Sequence, residues 1–177
     1  MTTLRVPVGA DDHVQGPATA AVTLVEYGDY ECPHCGHAYP IVKQLQEEFG
    51  DDLRFVFRNF PLANAHPHAQ LAAEAAEAAG AQGKFWEMHD WLFENQDDLS
   101  SENIVAGAEE LGLDMKRFVN DSESRKFQEK VKRDFAGGVR SGVNGTPTFF
   151  INGVRHDADF EYETLTAAIQ AALAEAA

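Results

Sequence analysis

Two cysteines, Cys32 and Cys35, frame the tetrapeptide Cys32-Pro33-His34-Cys35, and the chain has no others. A bridge between them closes a very small loop and removes little entropy from the unfolded chain, so stability is a poor reason for the pair. Redox exchange and metal binding remain. Residues 21–27 (Ala-Val-Thr-Leu-Val-Glu-Tyr) are β-branched and apolar and read as a buried strand, residues 28–31 as a turn, and residues 32–49 as a helix that Gly50 stops. A Cys-x-x-Cys that follows a strand and opens a helix has the context of a redox pair. The first sulfur then lies beside free backbone N–H groups at the positive end of the helix dipole, which favour thiolate over thiol. Pro33 suits the first helical turn. His34, when protonated, adds positive charge. A thiolate stabilised in this way is a good leaving group and makes the disulfide oxidising. Cys35, one turn further in, is the expected shielded, resolving thiol.

The competing readings of the pair are a structural bridge and half of a zinc site. Structural zinc takes four ligands, commonly two Cys and two His. The chain has seven His, with His34 and His37 close to the pair, but His66 and His68 are only two positions apart and no wider His pair follows. No metal site is assigned, and no cofactor is expected beyond the Cys32–Cys35 pair itself.

The rest of the chain must position these sulfurs. Arg5–Val8 reads as a short edge strand. Residues 53–60 alternate as a second strand that Pro61 ends. Strand, helix and strand in this order imply a parallel pair with a right-handed crossover. From about His66 to Gly138 the pattern is helical, with Glu74 and Glu77 expected on the solvent side of an Ala-rich helix and Ser100 or Ser101 capping a later one. A strand returns over 146–151, Asn152-Gly153 signals a tight hairpin, 154–156 pair back, and a last helix carries Leu165, Ile169 and Leu173 on one face. Neither β half closes a sheet alone, so the helical block reads as an insertion in one α/β domain: 1–62, then helical 63–140, then 141–177. Pro147 opens the returning strand, where its missing N–H breaks no ladder bond, and on local sequence alone Gly145-Thr146-Pro147-Thr148 is an ordinary turn.

Four segments together resemble the DsbA-like family: Val25-Glu26-Tyr27-Gly28-Asp29-Tyr30-Glu31-Cys32-Pro33-His34-Cys35, Arg58-Asn59-Phe60-Pro61-Leu62, Gly83-Lys84-Phe85-Trp86-Glu87-Met88-His89-Asp90, and Gly145-Thr146-Pro147-Thr148-Phe149-Phe150-Ile151-Asn152-Gly153. That family has a thioredoxin-like fold with an inserted α-helical subdomain and exchanges thiols with disulfides. The resemblance implies that Pro147 is a cis-proline facing the cysteines, with Thr146 and Pro147 offering backbone to an extended substrate peptide. It implies that Glu26 is a buried acid near Cys35, with a raised pKa and able to exchange a proton with it. On the residues alone, Glu26 can face either side of its strand. Arg58 is a candidate neighbour for it. The hydroxyl of Thr146 departs from the apolar residue of the best-known oxidase in this family and leaves the direction of electron flow open.

The chain has 177 residues, a formal net charge of −15 and a sequence pI of about 4.7. Such a surface repels nucleic acid and anionic membranes, and no stretch is long and apolar enough to span a bilayer. The expected partners are protein or peptide thiols and disulfides and an unidentified redox recycling partner; a monomer is expected. With no apolar leader visible, the sequence as written reads as cytoplasmic, or as periplasmic or extracytoplasmic if a leader was trimmed. Disulfide donation is the favoured direction. A cytosolic disulfide reductase is the alternative within redox chemistry, and a non-catalytic zinc- or peptide-binding module is the alternative outside it. Kappa-class glutathione transferases and hydroxychromene carboxylate isomerases share the architecture but typically carry one Ser at the helix start, which the Cys pair disfavours.

Overall fold

A computed structural model describes all residues 1–177. Its elements run β1 (His13–Gln15), β2 (Val22–Gly28), α1 (Pro33–Phe49), β3 (Leu53–Asn59), α2 (Ala69–Gly80), α3 (Phe85–Glu94), α4 (Ser101–Glu110), α5 (Met115–Glu123), α6 (Gln128–Arg140), β4 (Thr148–Ile151), β5 (Val154–Arg155) and α7 (Tyr162–Ala176). The five strands form one sheet in the order β1-β3-β2-β4-β5. Strands β2 and β3 are parallel and joined through α1, whereas β1, β4 and β5 pair antiparallel with their neighbours. The chain has a thioredoxin-like fold, with α2–α6 lying between β3 and β4.

The period of two along each strand sorts side chains onto the two faces of the sheet. Leu24, Phe55 and Phe57 join a core with Leu45, Met88, Leu92, Leu165 and Ile169, while Val25, Tyr27, Val56 and Phe150 join another with Phe60 and Val143. Full burial of each Leu or Phe contributes roughly 1.5–3 kcal/mol. Helix α2 is covered on several sides by α3, α4, α5 and α6, and its alanines let those helices approach closely. Ser100 caps α4 by accepting from Asn103 N–H at 3.3 Å.

Four sequence expectations need correction. Arg5–Val8 is not a strand: Pro7 has no N–H to give a ladder, and the carbonyls of Val6 and Pro7 instead accept from the Arg58 guanidinium at 2.8 and 3.2 Å. Glu74 and Glu77 are not wet; each is 5% exposed. Arg125 reaches Glu74, and His13, Lys130 and Asn59 surround Glu77, so long-range pairing overrides the local pattern. Arg58 does not approach Glu26. It pairs across the sheet with Tyr27, while Glu26 pairs with Phe57, so alternation sends Arg58 and Glu26 to opposite faces. The returning strand starts at Thr148 rather than 146.

Candidate functional site

Strand β2 ends at Gly28, the turn Asp29–Glu31 follows, and Cys32 sits at the N-cap of α1 with extended backbone (φ −72°, ψ 124°). Pro33 occupies the first helical turn, where its missing N–H is harmless. Cys32 is 3% exposed, Cys35 is fully buried, and the two are unbridged. The two sulfurs are electrostatically unlike. The Cys35 thiol donates toward Cys32, and this, helped by Thr146 and by the N–H groups of Cys35 and His34, outweighs burial and lowers the Cys32 pKa to about 5. Burial pushes the Cys35 thiol well above its ordinary value, and the charges of Glu26 and Cys32 push it the same way. The N–H of Asp29 points at Cys35 Sγ from 3.5 Å.

The Thr146–Pro147 peptide bond is cis. The Thr146 carbonyl lies 3.6 Å from Cys32 Sγ and accepts from it when Cys32 is protonated. The Thr146 hydroxyl is buried without a hydrogen-bond partner of ordinary geometry, yet lies close enough to Cys32 to lower its pKa. Pro147 precedes β4, which is antiparallel to β2, so the sheet itself brings residue 146 beside residue 32. The His34 ring meets Phe160 edge to face, with ring centroids 6.2 Å apart.

Glu26 is 3% exposed, and its Oε2 has no hydrogen-bond partner. Burial, with the Cys32 charge as a second cause, raises its pKa to about 8. Gly28 makes room for it: a Cβ there would lie 2.5 Å from the Phe57 ring and 2.8 Å from Glu26 Oε2. The structure therefore gathers Cys32, Cys35, Glu26, Thr146 and Pro147 at one end of the sheet, with His34 at the rim.

Several residues around this cluster carry no local signal in the sequence. Buried Asp29 accepts from Glu31 N–H at 2.8 Å, Leu62 N–H at 2.9 Å and His66 Nδ1 at 2.7 Å, and Glu31 holds His68 at 2.8 Å. These bonds fasten residues 61–68 to the turn before Cys32. Partial burial pulls His66 down, but its bond to Asp29 prevails and raises its pKa. Tyr30 is buried among Phe57, Phe93 and His89 and shares a 2.9 Å hydrogen bond with His89 Nδ1. Burial keeps His89 neutral by lowering its pKa well below the ordinary value. Asp29, Tyr30, Glu31, Leu62 and His89 lie in segments that carried the family resemblance, but without assigned roles there; His66 and His68 lie outside those segments.

Such a site can exchange disulfides: one acidic sulfur at the start of a helix, one fully buried sulfur of high pKa, and a buried acid that is protonated at neutral pH. Comparison with known proteins agrees with the fold. The family model described as Thioredoxin matches residues 9–171. A thioredoxin-like oxidoreductase from Silicibacter pomeroyi DSS-3 superposes with a TM-score of 0.82 at 29% identity, covering 92% of each chain. Wolbachia pipientis alpha-DsbA1 superposes with a TM-score of 0.82 at 22% identity, covering 98% of this chain and 96% of that one, a likeness of fold. Among curated proteins, one named Na(+)/H(+) antiporter NhaA 1, from Salinispora arenicola, is 49% identical over 97% of this chain. The chain spans only about a quarter (26%) of that protein's length. The chain belongs to the thioredoxin family.

Proposed function

We propose that this DsbA-like member of the thioredoxin family donates disulfides to protein or peptide thiols. The single observation that carries the direction is the asymmetry of the two sulfurs: Cys32 lowered to about 5, Cys35 raised well above its ordinary value. A disulfide whose reduction yields one very stable thiolate is a strong oxidant.

A substrate thiolate attacks Cys32 Sγ of the oxidised pair. The Cys32–Cys35 bond breaks, a bond from Cys32 to the substrate sulfur forms, and Cys35 leaves with the electron pair. Glu26, protonated below about pH 8, supplies the proton that neutralises Cys35, whose high pKa makes it a ready acceptor. A second substrate thiolate then attacks the substrate sulfur of the mixed disulfide, and Cys32 departs as a thiolate that needs no proton. Two electrons pass from the substrate dithiol to the enzyme. The backbone of Thr146 and Pro147, next to Cys32, is the edge on which an extended substrate would lie. Reoxidation by a partner reverses the flow, with Glu26 accepting the proton from Cys35.

The antiporter activity named for the curated relatives belongs to proteins of which this chain matches about a quarter (26%). No helix here is long and apolar enough to cross a membrane, and the proposal concerns the redox part alone. Such donors work in oxidising compartments, and that is the location proposed.

Equilibration of the pair with a glutathione series tests the direction. A potential nearer the about −120 mV of a strong donor than the about −270 mV of thioredoxin is expected. A value at the reducing end would assign the opposite flow, with Cys32 attacking substrate disulfides.

A further inference from the structure

The turn that carries Cys32 is gripped by one side chain from the helical block. Gln96, in the connector between α3 and α4, donates from Nε2 to the carbonyl of Tyr30 at 2.9 Å and to the carbonyl of Cys32 at 2.7 Å. The Cys32 carbonyl is also the first acceptor of α1, taking the Gly36 N–H at 3.0 Å. The amide therefore ties both ends of the tripeptide Tyr30–Cys32 to one point and fixes the plane of the Cys32–Pro33 peptide. Two backbone groups downstream of that peptide, the N–H groups of His34 and Cys35, are among those that acidify the Cys32 sulfur. Their aim depends on how the Cys32 carbonyl is held.

Gly36 is the second half of the device. A Cβ on Gly36 would sit well inside van der Waals contact distance of Gln96 Oε1, 3.0 Å from its Cδ and 3.1 Å from its Nε2. The glycine lies inside a helix, where Ala is intrinsically favoured by about 1 kcal/mol. Its backbone is not in the left-handed region, so conformational freedom does not require it. What its missing side chain provides is the seat for the Gln96 amide.

We propose that Gln96, seated on Gly36, is a positioning residue that sets the acidity of Cys32 from the helical block. It touches neither sulfur and acts through the backbone of the turn. The inference rests on Cys32 being the reactive thiolate of the function proposed above.

The test measures the Cys32 pKa in the reduced full chain, by thiolate absorbance and by the pH dependence of alkylation. Wild type, Gln96→Ala, Gly36→Ala and the double variant are compared. Both single variants should raise the Cys32 pKa from about 5, with a roughly two- to tenfold fall in acidity, the range of one net hydrogen bond. Gly36→Ala should do so although it improves helix propensity, by pushing the amide off its seat. The double variant should match Gln96→Ala, because the added methyl then displaces nothing. A purely structural role would change thermal stability and leave the pKa alone. Unchanged acidity in both single variants, or shifts that add in the double variant, would overturn the inference. If wild-type Cys32 itself titrates like an ordinary thiol, the functional reading fails instead, so the two failures are told apart.

Discussion

Replacing Glu26 by Gln should remove most of the pH dependence of stability between about pH 5 and 8. The carboxyl is held up to about 8 in the folded protein against 4.5 when free in the chain, chiefly by burial. The folded state therefore keeps a proton that the unfolded state releases, and stability falls as pH rises through that window. At about 1.4 kcal/mol for each pH step, the loss is about 3 kcal/mol by pH 7 and about 5 kcal/mol by pH 9. The disulfide form is the one to measure, because neither cysteine then titrates and burial, the larger cause, persists. Urea unfolding across the pH range gives a free energy at each point. Wild type should decline with pH while Glu26→Gln stays nearly flat, apart from slopes that both proteins share, such as that from His66. The absolute stability of the variant also contains the cost of a buried amide, so the difference in slope is the decisive quantity. Parallel declines in the two proteins would refute the assignment of a buried, proton-holding Glu26.

Cys35→Ser should trap a mixed disulfide when its Cys32 thiolate attacks a substrate disulfide and one substrate sulfur leaves as a thiolate, seen as a mass increase that reductant reverses, whereas Cys32→Ser should trap none and should lose exchange activity altogether. Arg58→Met breaks a nearly dry ion pair, with Arg58 3% and Asp12 9% exposed and 2.8 Å apart, so chemical denaturation should show a loss of about 3 kcal/mol; a loss below about 1 kcal/mol would mean that the pair is solvated. His66 binds its proton more tightly folded than unfolded, so its pairing with Asp29 stabilises the protein fully below pH 6.5 and is lost as pH rises through the raised folded value. His66→Gln should abolish that component, and an NMR titration placing His66 below 6.5 would contradict it.

The redox pair, the crossover that positions it and the returning strand were legible because each rests on local pattern: Cys-x-x-Cys between strand and helix, alternation over residues 53–60, and Asn152-Gly153 at a hairpin. Glu26 was placed only through family resemblance, since Val25 and Tyr27 allow either face. Register decides the matter: pairing Glu26 with Phe57 turns it inward toward α1, and the same register sends Arg58 away. Register is a property of two strands together and is not written in either. Glu74 and Glu77 look solvent-facing because an Ala-rich helix has no sharp apolar stripe; their partners Arg125, Lys130 and His13 come from distant parts of the chain. Gln96 and Asp29 are single polar residues in loops, a composition that any surface turn shares, and only the folded backbone shows what they hold.

The element order also has a consequence for how the protein is made. Cys32 and the Thr146 backbone that covers it are separated by 114 residues, most of them the helical block. On a ribosome adding about 5–20 residues per second, the Cys-Pro-His-Cys segment exists for roughly 6–23 s before its cover is synthesised. Through that interval β2 lacks β4, and the reactive sulfur stands without the wall that later guards it. A nascent chain of this family is therefore itself a target for thiol oxidants and for premature pairing, and it becomes a selective reagent only when the segment from Thr146 onward arrives.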